Sequence, residues 1–185
     1  MNTRGAWLEI EGKILDVDPT RISKQIRALG WAYISDEELK AQWLVNTNWE
    51  AIRVRQEGDR VAVEHKKKIH TEWDIKAFQE TGFEATNFND VIKTLLALGL
   101  VESWLPSVKR RIKHILSINW IKWTFDIDAY SSLPGFEGIP NPLLEIESNT
   151  RENVITWAQL LEFWKDQLNS MWPRELAIFY TERGY

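Results

Sequence analysis

Along seven stretches of this chain, charged and apolar residues alternate with a period of two: residues 7–15, 50–56, 60–68, 70–75, 107–115, 118–128 and 143–148. That is the period of an extended strand, whose successive side chains point to opposite faces. The first stretch sets Glu9, Glu11 and Lys13 on one face and Leu8, Ile10 and Ile14 on the other. Arg53 and Arg55 oppose Ile52 and Val54, while Glu64 and Lys66 oppose Val61 and Val63. Lys109 and Arg111 are set apart from Val108 and Ile112, with Arg110 on the apolar side. Lys122, Thr124, Asp126 and Asp128 oppose Ile121, Trp123, Phe125 and Ile127. Glu145 and Glu147 oppose Leu144 and Ile146. Gly58-Asp59, between the second and third stretches, marks a hairpin turn.

An antiparallel sheet with one solvated face accounts for alternation in general. It does not account for a polar face so rich in charge and so poor in Ser, Asn and Gln. It also leaves three amphipathic helices with nothing to cover. "DPTRISKQIRALG" offers Asp18 as a cap, Pro19 at the first position and Gly30 as a stop, with a stripe of Ile22, Ile26 and Leu29. "NFNDVIKTLLALG" runs from an Asn to Gly99 with Phe88, Val91, Ile92, Leu95 and Leu98 on one face. Residues 150–169 align Trp157, Leu160, Leu161, Trp164 and Leu168, which reads as packing of helix on strands. The segment 74–81 reads as a short helix, and the tail from Met171 has no clear period. A sheet curled into a barrel, charged faces inward and apolar faces outward under the helices, satisfies both patterns. Charges crowded into such a lumen must be paired or coordinated.

The chain has 185 residues, 44% hydrophobic and 27% charged, which suits one globular domain over 1–185. A net charge of −4 offers no general attraction to nucleic acid or anionic membrane, so neither is an expected partner. There is no cysteine, which excludes disulfides, thiolate metal sites and a cysteine nucleophile. The opening residues form no export signal and no stretch is long enough for a membrane helix, so a cytoplasmic location is expected. His65, His70 and His114 lack metal-ligand spacing. The eleven Trp are expected in the core or at a mouth.

Arg and Lys suit phosphate oxygens, Arg by its planar fork. Clustered carboxylates without thiolates suit hard cations such as Mg²⁺ or Mn²⁺. Together they match a metal-bound polyphosphate, and the absence of a GxxxxGK[ST] loop excludes a P-loop site.

In order along the chain, "EIEGK", "IRVR", "VEHK", "VKRR" and "DIDAYSSLPGFEGIPNPLLEIES" resemble the ExExK, RxR, lysine, KxR and closing acidic-loop-ExE strands of the CYTH superfamily, the triphosphate tunnel metalloenzymes. The resemblance covers roughly residues 7–165. It implies an α+β fold: an eight-stranded antiparallel β-barrel, or tunnel, with helices packed outside. It implies divalent-metal-dependent chemistry on triphosphates, like the bacterial class IV adenylyl cyclase-like and triphosphatase members. By position it places Glu9, Glu11, Asp128, Glu145 and Glu147 on the metal side. Lys13, Arg53, Arg55, Lys66, Lys109 and Arg111 fall on the phosphate side, with Lys68 on the same face as Lys66. Glu9, Glu11, Lys13 and Arg111 form the catalytic set. "HTEWD" lacks the further basic residue of the family, leaving Glu72 and Asp74 without an implied role.

The expected function is hydrolysis of a triphosphate: inorganic tripolyphosphate, a nucleoside triphosphate such as ATP, or thiamine triphosphate. The alternatives are a class IV adenylyl cyclase, releasing cyclic AMP and pyrophosphate from ATP, and a non-catalytic polyphosphate or nucleotide-binding module. The expected partner is a triphosphate-containing small molecule, bound by a monomer or homodimer.

Overall fold

The structure, a computed structural model, describes residues 3–48, 50–72, 74–103, 106–118, 121–132 and 139–184. Nine strands occur among them: β1 (Thr3–Ile14), β2 (Ala32–Val45), β3 (Ala51–Glu57), β4 (Arg60–Thr71), β5 (Lys76–Ala85), β6 (Val101–Glu102), β7 (Ser107–Ile118), β8 (Ile121–Ser132) and β9 (Leu143–Ser148). Eight form a closed antiparallel barrel in the order β3-β4-β5-β1-β9-β8-β7-β2, with β2 pairing back onto β3. The two-residue β6 lies outside, against the end of β2. Closure leaves no free edge in the barrel. It also makes neighbours of β1 and β9, setting Glu11 opposite Glu147 and Lys13 opposite Glu145.

Four helices are described: α1 (Pro19–Ala28), α2 (Phe88–Ala97), α3 (Arg151–Leu160) and α4 (Pro173–Glu182). Asp18 caps α1, accepting from the Thr20 and Arg21 amides at 2.8 and 3.1 Å. Asn87 and Thr150 cap α2 and α3 in the same way. α1, α2 and α3 cover outward-facing strand residues, whereas α4 packs on inward-facing ones at one end of the barrel. Ile22 and Ile26 of α1 and Val154 and Ala158 of α3 join Ile14, Phe125, Ile127, Leu144 and Ile146 in the largest apolar cluster. Leu176, Ala177 and Tyr180 of α4 pack on Tyr130 and Leu143. Phe88 of α2 meets Leu44, Val54 and Val61. The charges point inward and the core is a shell around the barrel, as the alternation predicts. On β1 this shell is tight at Gly12, where an added Cβ would come within 3.1 Å of both Val154 and Leu168. Among the described residues no helix is long and apolar enough to cross a membrane.

Three expectations need correction, and one barrel strand has no counterpart in the sequence reading. Strand β2 escapes the period-two reading because Asp36, Glu37 and Glu38 put charge on both faces in succession. Residues 76–85 are strand, not the short helix expected over 74–81. Their Lys, Ala, Gln and Glu suit a helix, but ladders with β4 and β1 on either side override that preference. The strand expected at 70–75 is the end of β4, which leaves the ladder after Thr71. The helix expected over 150–169 ends at Leu160; Glu162 adopts φ 68° and a single 3₁₀ turn follows at Lys165–Gln167. Trp164 is therefore 73% exposed, whereas Trp157 sits edge-on to Trp31, Phe125 and Trp123. The Pro/Gly loop at 133–138 lies outside the described residues.

Phe125 is fully buried between Trp31 and Trp157. Phe125→Ala should destabilise the barrel by about 3–5 kcal/mol, the usual cost of such a cavity, measured by denaturant unfolding.

Candidate functional site

The lumen is a cavity of about 1060 Å³ lined by the charged residues of the eight strands together with uncharged ones such as Leu39, Ala41, Trp43, Phe78 and Tyr130. Acids and bases are roughly balanced in it. The ring order sets β3 four strands away from β9, so the arginine pair of β3 faces the carboxylates of β9 across the tunnel.

Glu9 and Glu11 of β1 and Glu147 of β9 converge on one wall, with one carboxylate oxygen of each within 4.8 Å of the others. Lys66 donates to Glu9 at 2.7 Å and Lys13 to Glu11 at 2.7 Å. Glu147 makes no hydrogen bond or ion pair among the described residues. Burial pushes Glu147 up to about 8, with Glu9, Asp126 and Glu145 adding repulsion against the pull of Arg111. Burial likewise raises Glu9 to about 7, Lys66 opposing and Glu80 and Glu11 reinforcing. Burial alone would also raise Glu11, but Lys13, helped by Lys76 and Lys66, outweighs it and holds Glu11 below its ordinary value. Three convergent carboxylates, one unpartnered and two holding protons near neutral pH, have the chemistry of a hard-cation site that protons fill by default.

The other two carboxylates expected on the metal side stand among bases instead. Glu145 lies between Lys13 at 2.9 Å and Arg111 at 3.0 Å. Asp128, fully buried, receives two bonds of 2.7 Å from Arg111 and contacts Lys109. Arg111 also contacts Asp126, so its guanidinium is surrounded by three carboxylates. Burial alone would raise Glu145, but Lys13, Lys109 and Arg111 outweigh it and hold it well below the carboxylate range.

Arg53 and Arg55 meet at Glu64, each donating at 2.8 Å. Lys66 is lumenal and bonded to Glu9 and Glu80, while Lys68 is exposed, which separates these two same-face lysines. Lys76, 1% exposed, lies 3.4 Å from Glu11 and donates to the Met171 carbonyl at 3.1 Å. Burial and the neighbouring Lys13 charge push its ammonium down to about 7. No motif flags Lys76; only the parity Lys76, Phe78, Glu80 does, once β5 is known to be a strand. Glu64 and Asp126 fall on the charged face by parity, but no motif singles them out. Glu72 and Asp74 sit outside the lumen, both bonded to Arg151 at the start of α3. Arg110 points outward, in a two-bond pair with Asp36. His114 is buried on the outer face against Ser23, and the exposed His70 pairs with Glu72.

The tail shapes one end of the tunnel. Asn169 exchanges two backbone bonds of 2.9 Å with Lys13. Trp172 then lies edge-on to Phe78 and Trp43, with the Lys76 ammonium 4.3 Å from its ring centre. Exposed Leu8 and Ile34 and the β3–β4 turn line the opposite mouth.

No protein-family model matches the chain, and no curated protein does. Solved structures do. The PH1012 protein of Pyrococcus horikoshii OT3 is 21% identical, with a TM-score of 0.70 over 91% of this chain and 98% of that one. A candidate adenylate cyclase of Vibrio parahaemolyticus is 13% identical, with a TM-score of 0.68 over 91% and 97%. A Hippeastrum protein described as a candidate adenylyl cyclase with a dominant triphosphatase activity is 14% identical, with a TM-score of 0.54 over 94% and 96%. The fold of this chain, a closed eight-stranded antiparallel tunnel, is thus shared with two proteins described as candidate adenylyl cyclases, one of them with a dominant triphosphatase activity.

A pH dependence follows from the glutamate wall. Glu147, at about 8 in the folded protein against an ordinary 4.5, binds its proton more tightly when folded. Its ionisation therefore costs the fold increasing stability as pH rises from about 4.5 to 8. Glu147→Gln removes that cost. In chelator, its gain in Tm over wild type should grow steadily between about pH 5 and pH 8. A pH-independent difference would contradict the burial of this carboxylate.

Proposed function

We propose that residues 1–185 form one catalytic domain that hydrolyses a triphosphate with the help of a divalent cation. The observation that carries this is the opposition, inside one cavity, of the Glu9–Glu11–Glu147 wall and the Arg53–Arg55 wall. Glu9, Glu11 and Glu147 would hold Mg²⁺ or Mn²⁺, which supplies neutralisation of phosphate charge when bound. Phosphoryl transfer asks little covalent work of a protein; it asks for positioning and charge compensation.

The chain's own residues then have distinct tasks. Arg53 and Arg55 direct guanidinium donors at phosphate oxygens, where developing charge is stabilised by fixed dipoles and cations. Lys13, Lys66 and Lys109 stand along the same cavity, each already beside a carboxylate, so an arriving phosphate chain exchanges partners with charges that are in place. Lys76, titrating near neutrality, can give a proton from Nζ to the departing phosphate oxygen. Trp172 keeps bulk water from that end. The Hippeastrum protein's dominant triphosphatase activity supports hydrolysis in this fold.

The deciding experiment incubates the full chain with tripolyphosphate and with ATP, each with Mg²⁺ or Mn²⁺, and reads orthophosphate, pyrophosphate and cyclic AMP. Orthophosphate is expected, with loss of turnover in chelator and recovery on adding the metal. Cyclic AMP with pyrophosphate would replace hydrolysis by cyclisation, and binding without product would reduce the protein to a binding module.

Arginine substitutions test the walls. Arg53→Ala should lower kcat/KM roughly ten- to a hundredfold, the scale of a charge-assisted contact. Arg53→Lys should recover part of it, because charge returns without the fork. Arg110→Ala, on the outer face, should leave kcat/KM nearly unchanged.

A further inference from the structure

Glu64 is 3% exposed and lies in the middle of β4, directly across the ladder from Gly82 of β5. Its two oxygens are divided between two arginines. Oε2 accepts from Arg53 Nε at 2.8 Å, with Arg53 Nη2 in ion-pair contact with it at 2.8 Å, and Oε1 accepts from Arg55 Nη2 at 2.8 Å. An arginine carries five N–H donors, so this arrangement occupies a minority of them on each side chain and leaves the rest for the lumen. The Arg53 guanidinium also lies 5.5 Å from the Trp43 ring centre, which fixes its plane from the other side.

The backbone makes room for this arrangement. A Cβ on Gly82 would run into the Val63 carbonyl oxygen and come within 3.3 Å of the Glu64 Cα and 3.4 Å of its Cγ. Glycine at 82 is what lets β5 approach while Glu64 stands upright between the arginines. Burial would raise the Glu64 carboxyl, yet Arg53 and Arg55 outweigh it and hold the group at about 2. The carboxylate therefore stays ionised at any working pH.

We infer that Glu64 is a positioning residue that presets Arg53 and Arg55 as a two-pronged clamp for the phosphate chain. It touches no reacting atom; it fixes the spacing and the planes of the two guanidinium groups before a ligand arrives. Preset donors lose little conformational freedom on binding, which is why such an arrangement strengthens anion capture even though it places a negative charge beside the site. This inference rests on the triphosphate reading of the same lumen.

Two substitutions separate geometry from charge. Glu64→Gln keeps the shape but replaces one acceptor oxygen by an N–H₂ donor, so it can serve one arginine only. Glu64→Asp keeps the charge but is one methylene short of reaching both. The readouts are calorimetric affinity for tripolyphosphate in chelator, KM and kcat for tripolyphosphate with Mg²⁺, Tm, and the arginine Nε–H resonances by NMR. Both variants should bind tripolyphosphate roughly tenfold more weakly, on the scale of one charge-assisted hydrogen bond, with the loss in KM rather than kcat. The Arg53 Nε–H signal should broaden or move in both. Tighter binding by Glu64→Gln would make Glu64 a competitor of the ligand and overturn the inference. A fall in Tm with unchanged affinity and KM would make it a structural brace and overturn it equally. Wild-type protein that binds tripolyphosphate without cleaving it removes the hydrolase reading and leaves the affinity ratios to decide the role of Glu64. Wild-type protein that does not bind it overturns both.

Discussion

Everything in this molecule depends on keeping buried charge compensated. A barrel that turns its charged faces inward removes carboxylates, ammoniums and guanidiniums from water, which is strongly unfavourable for any charge left alone. The lumen meets this by exchange: Glu64 with two arginines, Glu145 with Lys13 and Arg111, Asp128 with Lys109 and Arg111, Glu9 with Lys66. Where compensation runs out, at Glu147 and partly at Glu9, the carboxyl retains a proton instead. The pattern of what is paired and what is not thus marks where an added cation has most to offer.

The same constraint explains the outside. Since the strands' polar faces are committed to the lumen, their apolar faces must be covered elsewhere, and the helices provide that cover. α1 and α3 serve β1, β8 and β9, and α2 serves β3 and β4, while α4 packs on the inward-facing Tyr130 and Leu143 at one end of the barrel. The barrel wall is therefore held between an electrostatic interior and a hydrophobic exterior. A substitution on either face of a strand is felt through a different force.

Much of this could be read from residue order alone. The parity of Glu9-Glu11-Lys13, Arg53-Arg55 and Glu145-Glu147 states which side chains share a face, and every one of them points into the lumen. The helix caps at Asp18 and Asn87 are equally plain. What escaped were elements whose local preferences conflict with their pairing. β2 carries acids on both faces because its outer face pairs Asp36 with Arg110 of β7, a neighbour in the ring that is far away in sequence. β5 has helix-favouring residues, which hide the shared lumenal face of Lys76 and Glu80. Parity also cannot say which carboxylate meets which base. Asp128 and Glu145 share a face with Glu147, yet ring order and side-chain reach deliver them to Arg111 and Lys109 rather than to the glutamate cluster.

The pairing of β1 with β9 has a bearing on how the chain reaches this state. Glu11 and Glu147, opposite one another in the ladder, are separated by most of the sequence. The ring cannot close until the last strand has emerged, and the Lys13–Asn169 backbone pair comes later still. On the ribosome, the row Glu9-Glu11-Lys13 must therefore wait, hydrated, at the edge of an open and growing sheet. Its charges then act as gatekeepers, keeping that waiting edge soluble and unattractive to other strands until its own partner arrives. The residues that line the finished tunnel would thus also protect the nascent chain that builds it.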